Sequence, residues 1–164
     1  MRKTFAPLDD MLIERLFQPV SDLISSRFGL TRGAVACFCL DIASLAWIMS
    51  RISGLSDAVA ARDSGTAFLD LLLLMLGLIA LISLRSLFHR TRGKQGNPLR
   101  RAMQPHRAIV LVMLAARLTQ LQAPGLGDAA DIAMLVFAAS ALYLGACTER
   151  PPVRRTSADL LPAN

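Results

Sequence analysis

Residues Asp70–Leu84 read DLLLLMLGLIALISL, and a helix built from them carries leucine on every face. Extended to Ala67–Phe88, with one acid and one arginine near its ends, the run is long enough to cross a bilayer. A hydrocarbon core of about 30 Å calls for roughly 20 mostly apolar residues in succession. A soluble amphipathic helix keeps a polar face, and this run has none. The stretch therefore places the chain in a membrane, and the neighbouring sequence is read relative to it.

Three further apolar runs flank it. Gly33–Ser50 contains Asp41 near its middle and Trp47 near its far end. Residues 108–123 are shorter, reaching only about 24 Å as a helix, and include Arg117, Gln120 and Gln122. Residues 129–147 form the fourth run. Between the first two, residues 52–66 read as a loop punctuated by Gly54 and Gly65. Before the first, Leu8, Leu12, Leu16, Val20, Leu23 and Ile24 recur at three- and four-residue spacing. That pattern predicts an amphipathic helix, broken or bent at Pro19. Its polar side holds Asp9, Asp10, Glu14 and Asp22, an acidic set that argues against anionic-lipid binding. The apolar side is suited either to lipid or to the bundle itself. The expected fold is all-α: residues 1–32 an N-terminal segment with an interfacial helix, residues 33–147 a four-span bundle, residues 148–164 a polar tail.

Hydrophobic residues make up 54% of the 164, above the 45–50% of soluble domains. The net charge of +6 is spread beside the spans rather than gathered with aromatics, so nucleic-acid binding is not expected. Lysine and arginine number five before the first span, seven in residues 85–107 and three in the tail. The two short loops on the other side hold only Arg51 and Arg62. By the positive-inside rule both termini lie in the cytoplasm. Alanine, leucine and arginine usage and the absence of a leader pattern suggest a bacterial cytoplasmic membrane.

Asp41 and Arg117 stand about 12 and 13 Å from the inner ends of spans one and three. Equal depth and opposite sign predict an intramembrane ion pair, since each charge alone costs about 2.5–3.5 kcal/mol there. Cys37 and Ser44 share a helix face with Asp41, and Gln120 shares one with Arg117, forming an expected polar stripe. Asp70 and Asp131 sit about one turn inside the outer surface. Ala129, Ala133, Ala141 and Gly145 follow an i+4 stripe suited to close helix packing. In the basic loop, Arg90, Arg92, Lys94, Arg100 and Arg101 are candidates for lipid headgroups.

No nucleophile–base set, phosphate loop, metal-ligand spacing or haem ligand pair is present, so no catalytic residue, metal or cofactor is assigned. The three cysteines, Cys37, Cys39 and Cys147, lie in or at the end of apolar runs and read as packing residues. The expected function is that of a non-enzymatic accessory or assembly subunit, contacting membrane lipids and another membrane protein or itself. The alternatives are a small proton- or ion-linked transporter or homo-oligomeric pore using Asp41 and Arg117, and a lipid-modifying enzyme around His89, Arg90 and His106.

Overall fold

A computed structural model describes residues 2–91, 98–120 and 125–148. Its elements are α1 (Arg2–Leu12), a π-helical turn (Ile13–Phe17), α2 (Gln18–Phe28), α3 (Arg32–Ala60), α4 (Ser64–Thr91), α5 (Pro98–Ala102), α6 (Gln104–Gln120) and α7 (Leu126–Ala146). There is no strand among the described residues. Three helices, α3, α4 and α7, are long and apolar enough to cross a membrane. The 17 residues of α6 fall short of that length. Tail residues 149–164 and the candidate headgroup ligands Arg92 and Lys94 lie outside the described residues, as does Gln122.

The N-terminal segment is one helical rod with a defect rather than a break. Pro19 has no N–H, and its ring collides with the carbonyl four residues earlier in a regular helix. The chain widens into a π-turn over Ile13–Phe17 just before Pro19, which releases that carbonyl and lets the helix continue. Gly29 ends α2 in the left-handed conformation (φ 63°), with its N–H on Ser25 O at 3.1 Å.

The expected loop over 52–66 shrinks to Ala61–Asp63, because α3 continues to Ala60. Gly54 acts by its size: a Cβ there would stand 2.9 Å from Asp70 Oδ2. Arg62 takes φ 56°, and Asp63 then caps α4, accepting from the N–H groups of Gly65 (3.0 Å) and Thr66 (3.2 Å).

The bundle is organised around α3, not around the leucine-rich α4. Helix α3 packs along α7 on one side and along α4 on the other. Its buried positions Ala36, Cys39, Leu40, Ala43, Ala46 and Ser50 repeat at three- and four-residue spacing. Small side chains there let two helix backbones approach closely. Flanked on both sides, α3 buries Cys37 as well as Cys39, although the two project nearly opposite ways. Helix α4 is an edge helix: of residues 64–90, only Phe88 is buried. Two glycines set its distance from its neighbours. A Cβ on Gly77 would overlap the Trp47 indole, and one on Gly145 would overlap the Phe88 ring.

Helix α6 runs antiparallel to α7. Near its start Arg107 lies over the Tyr143 ring (5.5 Å), and ten residues on Arg117 pairs with Asp131. On the stripe expected along α7, Ala141 and Gly145 are buried, Ala133 is half-buried and Ala129 is exposed.

Candidate functional site: two ionic clusters at opposite ends of the bundle

At the end nearest the α3–α4 turn, charged groups from four helices meet. Arg51 of α3 donates to Asp70 of α4 at 3.0 Å and to Asp131 of α7 at 3.3 Å. Ser50 donates its hydroxyl to Asp131 and accepts from Arg51 at 3.0 Å. Arg117 of α6 pairs with Asp131 and reaches Asp128 at 3.7 Å. The Arg51 guanidinium also lies 4.8 Å above the Trp47 ring, an arrangement that stabilises a partly desolvated cation. Asp131, 8% exposed at its side chain, is the hub. Its carboxylate has oxygens enough to serve both arginines and the hydroxyl at once.

The expected pairing of Asp41 with Arg117 is therefore corrected. Arg117 pairs with Asp131, and Asp41 pairs with Arg85 on α4. Counting from the inner ends of the runs placed the two charges level, but in the bundle Arg117 lies beside Ser50 and Arg51, about 14 Å further along α3 than Asp41. Helix α3 lies between α4 and α7, so its Asp41 face meets α4 instead of α6. The Cys37–Asp41–Ser44 stripe divides accordingly. Cys37 and Asp41 line a cleft of about 200 Å³ between α3 and α4, whose other walls include Gly33, Phe38, Arg85 and His89. Ser44 returns its hydroxyl to Leu40 O at 2.8 Å, and Gln120 is exposed at the end of α6. In the sequence Arg51 counts only as a short-loop cation beside the first span, and no neighbour in sequence signals that it holds two acids.

The second cluster closes the other end, where the basic loop lies. Arg107 is fully buried and donates through Nε to Asp9 Oδ1 at 2.9 Å and through Nη2 to Arg100 O at 2.7 Å. Arg100, of α5, donates to Asp10 at 2.9 Å and to Glu14 at 2.8 Å. Those hydrogen bonds, Glu14's first and Asp10's second, push its guanidinium above the ordinary arginine value. Arg100 is thus a fastener between the loop and α1, not a free headgroup ligand. Arg90 and Arg101 are exposed.

Ile13 and Phe17 complete the docking of the N-terminal rod. Phe17 stacks on Tyr143 at 4.7 Å and 12°, and Ile13 packs with Tyr143, Ala146 and Cys147. Gln18 holds the exit of α7, donating to Thr148 O and accepting from Thr148 N, each at 3.0 Å. Sequence periodicity left the leucine stripe open to lipid or to the bundle, and of that stripe Leu12 packs against the bundle while Leu8, Leu16, Val20 and Leu23 are exposed. The docked face is Asp9, Ile13, Phe17, Gln18 and Ser21. Acids on an amphipathic helix look solvated until a buried arginine claims one of them.

Both clusters fasten helices together, each setting two arginines among three carboxylates. Compared with family models, curated proteins and solved structures, the chain gives no match.

Proposed function

We propose that this protein is a small, non-enzymatic accessory or assembly subunit of a larger membrane complex. In this reading it sits in a bacterial cytoplasmic membrane as a four-span bundle with both termini cytoplasmic. The observation that carries the proposal is the open α3–α4 edge. Asp41 and Arg85 pair there with 44% and 47% of their side chains exposed, Asp41 nine residues into α3 and Arg85 six residues before the end of α4, on two helices apolar enough to cross the membrane. Charges facing hydrocarbon are costly, and intramembrane ionic groups normally face a bundle interior or a wet cavity. A partner helix laid against this edge covers the pair and the unburied leucines of α4 together.

The antiparallel run of α6 beside α7 supports its crossing as the fourth span despite its length. A short span held by neighbours needs only local thinning of the bilayer. The lysine and arginine bias then sets the basic-loop end inside.

A photo-crosslinking residue at Leu76 or Ile82, both exposed on α4, tests the proposal in the native membrane. A discrete adduct with a different polypeptide, matched by fixed-ratio co-purification, is the expected result. Adducts with lipid alone refute it, and adducts with itself shift the reading to a homo-oligomer. The four-helix cluster around Asp131 favours a second reading, ion-linked transport. In that case Asp131→Asn abolishes flux in proteoliposomes while leaving the protein folded.

A further inference from the structure

We infer that the α1–α2 rod is an anchor for anionic phospholipid, lying in the headgroup layer at the basic-loop end of the bundle. This inference is independent of the accessory-subunit reading. At about 100° per residue, with the π-turn setting its second half back by about one residue, the rod has three faces. Asp9, Ile13, Phe17, Gln18 and Ser21 dock on the bundle, and Asp10, Glu14 and Asp22 lie on a polar side. Leu8, Met11, Leu16, Val20 and Leu23 form a third, apolar stripe, exposed between 42% and 57% and covered by nothing among the described residues.

The acids that argue against an anionic surface are already engaged. Arg107 holds Asp9, Arg100 holds Asp10 and Glu14, and Gln18 donates to Asp22 at 2.9 Å. Arg15 and Arg27 are exposed, and among the described residues neither has an ion-pair partner. Arg15 lies four residues past Met11, and Arg27 four past Leu23, so both adjoin the apolar stripe. An arginine beside an apolar stripe reaches phosphate with its head while its stem stays in the acyl boundary.

Connectivity sets the level. Only Gly29–Thr31 separate α2 from α3, and Asp9, Ile13 and Gln18 hold the rest of the rod to the basic-loop ends of α6 and α7, which sets the stripe at the depth where the spans begin. A lipid surface fits a long, flat apolar strip rimmed by two unneutralised cations at that depth. Each arginine near an anionic surface strengthens attachment about fivefold, and salt screens the effect.

The test uses the full-length chain with Leu23→Cys carrying an environment-sensitive fluorophore. The three native cysteines are buried, and the unsubstituted protein controls for their labelling. The protein is reconstituted in phosphatidylcholine vesicles with and without phosphatidylglycerol. The expected result is quenching by a shallow spin-labelled lipid and protection from aqueous iodide, stronger with phosphatidylglycerol and weakened by salt. The Arg15→Gln/Arg27→Gln double variant, altered only at exposed positions, loses the difference between the two lipid mixtures. Iodide access in both mixtures overturns the inference. So does protection from both quenchers, which means that protein covers the stripe. Lipid contact indifferent to phosphatidylglycerol and salt removes the anionic requirement and overturns it as well.

Discussion

Arg107 and Asp9 are 0% and 2% exposed at their side chains, and each is satisfied chiefly by the other. Removing one partner strands the other's charge, whereas replacing both with apolar groups of similar volume removes the problem. Arg107→Met or Asp9→Leu alone is therefore expected to destabilise the protein by about 3–5 kcal/mol. The double variant should recover most of that loss. Denaturation in mild detergent measures this cycle, and additive losses would show that the pair does not couple. Gly77 makes a second prediction at this scale. Its Gly77→Ala variant drives a methyl into Trp47 and should cost about 1–3 kcal/mol. Trp47→Ala in the same background should relieve the overlap; thermal denaturation of both variants checks it.

The α3–α4 hairpin turns on Asp63. Its carboxylate is held below the ordinary value of 3.8 by hydrogen bonds, the Thr66 hydroxyl first and the Thr66 amide next. Because the folded value is the lower one, the cap contributes fully above the unfolded value. The contribution is lost as pH falls through the folded value. Amide protection at Gly65 and Thr66, corrected for intrinsic exchange, should therefore drop in that acid window and stay flat from pH 5 to 7. Asp63→Asn should remove the acid dependence while retaining a cap. The apolar runs made the existence of these helices legible, and Pro19 marked a real feature of the backbone. The extension of α3 through Gly54 was not legible, because a glycine looks the same whether it breaks a helix or admits a neighbouring carboxylate.

For the whole molecule, Asp131 joins α7 to α3 through Arg51 and Ser50, and to α6 through Arg117. Arg51 retains Asp70 without it, but Arg117 keeps only the more distant Asp128. Asp131→Asn should therefore loosen α6 selectively, at a cost on the order of 3 kcal/mol. Hydrogen exchange resolved by segment should rise most in α6 and least in the α3–α4 hairpin. A uniform rise across all helices would contradict the hub assignment. Asp70 and Asp131 were already conspicuous in the sequence as acids at matching depth. The cation that unites them, Arg51, lay in plain view at the end of a span.

Hydropathy over tens of residues, set by composition alone, was sufficient to establish that the chain is helical and has helices apolar enough for a membrane. The charged residues within those helices were equally plain, and so was the need of each for a partner. Their pairing was decided only by the packing. Small side chains on α3 and the glycines at 77 and 145 determine which helices approach, and thereby which charges meet. The same packing draws Asp9 toward Arg107 and Asp10 and Glu14 toward Arg100, leaving the leucine stripe of the N-terminal rod exposed. Helix periodicity is a local property, whereas an ion pair forms between groups distant in sequence, so its partners become visible only in the assembled fold.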